Sequence, residues 1–196
     1  MMVTLWIIVA FICGALPMSV WLGRLVLKTD IRQYGDGNPG AANVWRAGGA
    51  KWGVTAILLD SFKGAIPVWI AQFGLGIDGM ALAAVTIAPV LGHAISPFIG
   101  FKGGKALAVT FGVWCGLTLW LGPTLLGICF GLWLGLLTVE GWAVFFGSLS
   151  FLVCLLLLQV GSTWLVVWLG ITAILFWKHL ADFRRPIQLR LLATNR

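Results

Sequence analysis

Charged residues are few in this chain. Among 196 residues, 6 are Asp or Glu and 13 are Lys or Arg, 10% in all, against about 25% in a soluble globular domain. That shortage excludes an ordinary water-facing surface. Cysteine offers no chemistry by its pattern. Cys13, Cys115, Cys129 and Cys154 all lie in apolar runs, and none forms a C-x-x-C pair. Neither a disulfide framework nor a metal site is indicated. Internal repeats and low-complexity linkers are absent, so the chain reads as one domain over residues 1–196. No Lys or Arg precedes the first apolar run and no clear small-residue cleavage site follows it. Both absences speak against a cleaved signal peptide.

Apolar residues are abundant. They make up 60% of the chain, with a mean hydropathy of +1.01, which places it in a membrane. A spanning helix needs about 20 largely apolar residues. Seven runs qualify, at 3–23, 52–73, 77–97, 105–121, 123–138, 141–160 and 163–180. In the long apolar stretch from 105 to 180, turns are expected where Gly and Pro punctuate it: Gly122-Pro123, Glu140-Gly141 and Gly161-Ser162. The expected fold is an all-α polytopic bundle.

The cations test that count. Placing the N-terminus outside leaves the C-terminus in the cytosol. Arg24, Lys28, Arg32, Arg46 and Lys51 then fall in the first inner segment, Lys102 and Lys105 in the second, and Lys178, Arg184, Arg185, Arg190 and Arg196 in the tail. Lys63 lies inside the second span, Lys105 and Lys178 stand at the inner ends of theirs, and the outer loops hold no cation. This is the positive-inside pattern. The net charge of +7 therefore follows membrane orientation. Nucleic acid is not an expected partner, because the cations do not form a soluble basic face.

Two polar cassettes interrupt the apolar background, both on the inner face. The first runs from Gly35 through Asp36, Gly37, Asn38, Pro39, Gly40 and Asn43 to Arg46. Its G-x-G-x-x-G spacing lacks the preceding strand that a dinucleotide fingerprint needs. A better reading makes Asn38 an N-cap and Pro39 the first helical residue. A short helix then stops at Gly48-Gly49. Asn43 and Arg46 share a face of it, and the amides at its start suit an anion. The bland alternative is a plain capping turn.

The second cassette is Phe101-Lys102-Gly103-Gly104-Lys105. It is not a Walker A loop, since Ala106 stands where Ser or Thr is required. Paired glycines between lysines still offer bare amides beside cations, with Lys105 opening the fourth helix. Membrane anchoring alone would explain the lysines but not the glycines. His93, near the inner end of the third span, reads either as a structural hydrogen-bonding group or as a base. Asp60 and Lys63 lie three apart in the second span. Buried charge is costly in lipid, so they should pair or face the bundle interior. Structural pairing and substrate binding both remain open for them.

Together, Gly35–Arg46, Leu59-Asp60-Ser61-Phe62-Lys63-Gly64, Gly92-His93 and Gly100–Lys105 resemble the acyl-phosphate-dependent glycerol-3-phosphate acyltransferases of bacteria. The family patterns are G-S-G-N-x-G-x-x-N-x-x-R, L-D-x-x-K-G, G-H-x-x-P and G-F-K-G-G-K-G. The resemblance covers about residues 10–110. It implies seven spans, an outer N-terminus and cytosolic active-site loops in the inner membrane. It implies transfer of a fatty acyl group from acyl phosphate to the 1-hydroxyl of glycerol 3-phosphate, giving lysophosphatidic acid, without cofactor or metal. Membrane lipids and an enzyme that produces acyl phosphate are the implied partners. Lys105, Arg46 and His179 are the implied catalytic residues. Gly35, Asp36, Gly37, Asn38, Gly40, Asn43, Asp60, Lys63, His93, Lys102, Gly103 and Gly104 are the implied substrate-binding ones.

Five departures stand out, one of them Ser96 at the place of the family Pro after Gly-His, with Pro97 one position later. Asp36 replaces the family Ser, which puts a carboxylate in an anion loop unless Arg32 or Arg46 neutralises it. Ala106 replaces the Gly after G-G-K. Glu140 sits near the place of a family serine motif. The tail pattern His-x-Glu/Asp-Asn becomes His179-Leu180-Ala181-Asp182. A divergent paralogue, with an altered acceptor or no catalysis, is thus the first alternative. A phosphate-compound transporter is the second; against it stand the missing repeat and cassettes confined to one face.

Overall fold

Lipid offers backbone amides and carbonyls no partner, so apolar chain in a membrane must close its hydrogen bonds within helices. The structure, a computed structural model, describes residues 1–193 and is helical throughout those spans. Arg196 lies outside the described residues. Helix α1 (Met2–Ala15) is interrupted because Pro17 has no N–H to continue the ladder. Helix α2 (Met18–Leu22) resumes and widens into a π-turn, Gly23–Leu27. Helices α3 (Ala41–Trp69), α4 (Gly79–Ile95), α5 (Leu107–Thr118), α6 (Leu121–Leu136), α7 (Glu140–Leu157) and α8 (Ser162–Lys178) follow. A last turn, α9 (Arg190–Ala193), closes the described chain.

Each expected span has its helix. Four are long and apolar enough to cross a bilayer: Met2–Leu27, Ala41–Gly74, Gly79–Ile99 and Glu140–Leu157. The other three are shorter. The 12 residues of α5 rise about 18 Å, well short of a hydrocarbon core of about 30 Å.

Boundaries moved for local reasons. The turn expected at Gly122-Pro123 lies earlier, where Leu119 takes a left-handed φ of 55°. Pro123 instead sits in the first turn of α6, where its missing N–H costs no hydrogen bond. Asn38 and Pro39 do not open the cassette helix. Gly40 precedes it and Ala41 begins it. The stop at Gly48-Gly49 is present as a kink in α3, with Gly49 at φ 77°. Lys105 does not open α5, because Ala106 is left-handed at φ 65° and delays the helix to Leu107.

Packing relies on small residues, as expected where lipid tails compete equally for apolar side chains. Helix α3 lies on α5, α1 on α4, α6 on α7 and α4 on α8. A Cβ at Gly112 would overlap the Ser61 carbonyl, and one at Gly14 or Gly92 would overlap the backbone of Pro89 or Phe11. Ser61 Oγ also donates to the Ala108 carbonyl at 3.0 Å, stitching α3 to α5. Trp114 fills the centre, edge-on to Phe151 at 4.8 Å between ring centroids. Large apolar residues such as Leu5, Ile8, Phe62, Ile66 and Leu169 face outward. A surface this apolar marks contact with lipid.

The tail folds back on the α6–α7 turn. Trp142 Nε1 donates to the Arg185 carbonyl at 2.9 Å, and the Thr138 amide to the Gln188 carbonyl at 3.0 Å. These bonds fix the 182–190 segment beside Glu140. Replacing Gly112 by Ala should destabilise the protein by about 1–3 kcal/mol, because the α3–α5 crossing must open. Gly135, whose Cβ direction is empty, should tolerate Ala. Thermal unfolding in detergent checks the pair; equal midpoints would refute a contact-limited crossing.

Candidate active site

Both cassettes, the α6–α7 turn and the tail meet at one end of the bundle around a cavity of about 370 Å³. Its inner wall is apolar, with Phe111, Phe130 and Leu134, while Asp36, Arg46, Lys105 and Glu140 stand at its polar part. A groove of this kind suits a molecule that is greasy at one end and ionic at the other.

The first cassette is held by its own side chains. Gly35 and Gly37 are left-handed, at φ 56° and 72°, a conformation that glycine adopts at no steric cost. A side chain at Gly35 would also strike Arg46 and Asn43. Asn43 is 1% exposed and braces the loop. Its Nδ2 donates to Asp36 Oδ1 at 3.1 Å and to the Asn38 carbonyl at 2.9 Å. Its Oδ1 accepts from Arg46 Nη1 at 2.5 Å. Gly40 and the first residues of α3 line the cavity with Asn38, so the helix start does face it.

Lys105 is the hub. Its Nζ lies 2.6 Å from Glu140 Oε2, 3.1 Å from Asp36 Oδ2 and 3.9 Å from Asp182 Oδ2. Burial works against the ammonium, yet the hydrogen bonds and charges of Glu140 and Asp36 outweigh it and raise its pKa above the ordinary lysine value. Burial likewise opposes the Asp36 charge. Lys105, the Asn38 amide and Asn43 overcome that and pull its pKa below the usual carboxylate value. The cation that neutralises Asp36 is therefore Lys105. Arg32 is taken by Asp30 at 2.6 Å, and Arg46 turns to Asn43.

The second cassette serves a different purpose from the expected one. The Gly104 amide donates to the His93 carbonyl at 3.1 Å, so it is not bare. Side chains at Gly103 or Gly104 would collide with the His93 backbone or ring. The paired glycines let this loop lie flat on the end of α4, and Lys178 Nζ clamps it through the Ala94 and Gly103 carbonyls at 3.0 and 2.9 Å. Lys102 is exposed and does not line the cavity that Lys105 enters.

Beneath the polar residues lies a second charged layer. Lys63 Nζ is 2.7 Å from Asp60 Oδ1 and donates to the Leu16 carbonyl at 2.7 Å. Ser19 Oγ donates to Asp60 Oδ2 at 2.6 Å. The expected pairing is thus present, and the Leu16 carbonyl at the break between α1 and α2, which also accepts from the Met18 amide at 3.0 Å, receives the Lys63 ammonium. Asp60 and His93 line the cavity floor, 3.9 Å apart. Lys63 does not reach the cavity, because its ammonium is engaged by Asp60 and Leu16.

His179 is 1% exposed and sits behind Glu140 and Asp182 rather than in the cavity wall. Glu140 and Asp182 were not among the expected site residues. Their scarcity was the available signal: they are two of only 6 acidic residues in the chain, and Asp182 stands one turn after His179.

The sequence matches the glycerol-3-phosphate acyltransferase family model over residues 4–189. It is similar to glycerol-3-phosphate acyltransferase 1 of Thermotoga maritima, 45% identical over 124 residues, which cover 61% of this chain and 60% of that one. It is 36% identical over 183 residues to the glycerol-3-phosphate acyltransferase of Maridesulfovibrio salexigens, covering 92% and 91% of the two chains. The structure is similar to crystal structures of PlsY (YgiH), an integral membrane glycerol 3-phosphate acyltransferase. The lysophosphatidic acid form has a TM-score of 0.82 at 29% identity, the glycerol 3-phosphate form 0.77 at 31%. Each alignment covers 100% of this chain and 94% of the other. The chain belongs to the glycerol-3-phosphate acyltransferase family.

Proposed function

We infer that this multi-pass membrane protein transfers a fatty acyl group from acyl phosphate to the 1-hydroxyl of glycerol 3-phosphate. The observation that carries this reading is the pairing of Arg46 and Lys105 at the polar part of a cavity whose wall is otherwise apolar. The hydroxyl oxygen attacks the acyl carbonyl, the carbon–oxygen bond to phosphate breaks, and the hydroxyl proton passes to the phosphate released. Lysophosphatidic acid and inorganic phosphate result. Acyl phosphate is already activated, so no enzyme nucleophile is required; positioning and fixed charge supply the catalysis. Arg46, oriented by Asn43, presents a two-pronged donor to a phosphate. Lys105 neutralises charge on the phosphate that leaves. His179 stands behind Glu140 and Asp182, its ring held by the Leu175 carbonyl. Asp60 and His93 form the floor, and Lys63 holds Asp60 from outside the cavity.

The whole chain acts as one domain. Its N-terminus lies outside and its C-terminus in the cytosol of the bacterial inner membrane, with the site facing the cytosol, where an acyl-phosphate-producing enzyme supplies the donor. The meeting of both cassettes, the α6–α7 turn and the tail at one end of the bundle favours chemistry at one face over passage through the bundle. The second reading, an altered acceptor, draws on one feature, the three carboxylates Asp36, Glu140 and Asp182 around Lys105.

Purified protein given labelled glycerol 3-phosphate and palmitoyl phosphate should form lysophosphatidic acid; none under any condition would overturn the reading. In this assay Arg46→Lys should lose about tenfold or more in kcat/KM while remaining folded, because a point charge cannot replace the planar fork. Lys105→Ala should lose about 100-fold or more, the scale of removing one electrostatic contact to developing charge. Lys102→Ala should stay within about twofold; a reversed order would place the wrong lysine at the site. A reporter fused to the C-terminus should behave as cytosolic, and a periplasmic one would remove the seven-span orientation.

A further inference from the structure

We propose that Glu140, His179 and Asp182 bind a divalent cation, and that this ion turns the carboxylate-rich part of the cavity into a site for the acceptor's phosphate. The first half of this proposal stands on its own; the second rests on the acyltransferase reading.

The three residues come from separate segments. Glu140 opens α7, while His179 and Asp182 form the turn after α8. Their donor atoms lie within 4.8 Å of one another. His179 supplies the decisive observation. Its Nδ1 is 2.7 Å from the Leu175 carbonyl. A carbonyl can only accept, so Nδ1 carries the hydrogen. In the neutral ring, Nε2 is then a bare lone pair. It is buried and has no hydrogen-bond partner among the described residues; neither has Asp182 Oδ2. The lone pair therefore faces carboxylate oxygens, acceptor against acceptor. A cation between them would satisfy both unpartnered atoms at once, with Glu140 as a third donor. Histidines that hold metals characteristically donate their other N–H to a backbone carbonyl, as His179 does.

Charge points the same way. Asp36, Glu140 and Asp182 bring three negative charges to one ammonium, that of Lys105. Adding Arg46 still leaves an excess of one. A phosphate dianion entering alone would meet net repulsion. A divalent ion reverses the sign, and three protein ligands leave positions open for phosphate oxygens. Metal–ligand bonds of about 2.0–2.2 Å need the donors somewhat closer than they are. Glu140 and Asp182 are partly exposed, at 38% and 20% of their side chains, so neither is locked in place by packing on all sides. One imidazole with two carboxylates suits Mn²⁺ or Zn²⁺ better than a thiol-seeking metal. Sequence spacing gave no hint of this site, because its ligands are brought together only when the tail folds against the α6–α7 turn.

Mn²⁺ is the probe. Full-length protein purified in detergent and stripped with EDTA should bind one Mn²⁺ by isothermal titration and by electron paramagnetic resonance. His179→Gln and Asp182→Asn should each weaken that binding at least tenfold. Absence of Mn²⁺ binding by the wild type, or unchanged binding by both variants, overturns the site. So does an imidazolium at His179 in the metal-free protein at neutral pH, seen by nitrogen NMR, because its second N–H would then satisfy the carboxylates. In the acyl-transfer assay, stripping should raise the KM for glycerol 3-phosphate at least tenfold, with recovery on adding Mn²⁺. Equal KM values with and without the ion overturn the phosphate role. Stoichiometric Mn²⁺ binding with no acyl transfer under any condition upholds the metal site and overturns the acyltransferase reading.

Discussion

Three segments far apart in the chain meet at one ammonium group. Lys105 draws Asp36 from the first cassette, Glu140 from the start of α7 and Asp182 from the tail. Each carboxylate is partly removed from water, so a nearby cation stabilises it. The loop that carries Lys105 is equally constrained. Gly103 and Gly104 allow it to lie on α4, Lys178 clamps it, and Ala106 turns left-handed to aim the chain into α5. Moving Lys105 would release three loops together.

The layer below works by another rule. Asp60 and Lys63 are 2–3% exposed at their side chains and are fully supported by Ser19 and the Leu16 carbonyl. Removing one partner of such a pair costs about 3–5 kcal/mol, because it strands a buried charge. That layer ties α1, α2 and α3 together and gives the cavity a rigid floor. The polar residues above it are more exposed, and their charges are unequal. A rigid floor under an adjustable set of charges suits a site that must hold substrates carrying phosphate beside an acyl chain.

The same division explains which expectations succeeded. Hydrophobic run length and the placement of cations located seven helices, because lipid imposes both rules on short stretches of chain. The Asp60–Lys63 pair was legible for the same reason: two opposite charges one helical turn apart in an apolar helix have few other solutions. Arg46 and Asn43 were legible from their spacing on one helix face. The role of Gly103 and Gly104 was not. Their glycine requirement comes from the end of α4, to which nothing in the local motif refers. Lys102 and Lys105 look alike in sequence, and only the direction of the loop separates them.

The sequence by itself therefore determined an all-helical membrane bundle, its polar segments gathered at one end, and its family. Those properties follow from local composition, periodicity and motif order. Tertiary structure alone decided which cation neutralises Asp36, that Glu140 and Asp182 join the site, and that His179 turns an unpaired nitrogen toward them. These depend on contacts between residues far apart in the chain. Such contacts are set by the glycine-dependent closeness of α3 to α5 and α1 to α4, and by the backbone hydrogen bonds that fold the tail onto α7. No local pattern encodes the distance between two loops, because that distance is fixed by how whole helices pack.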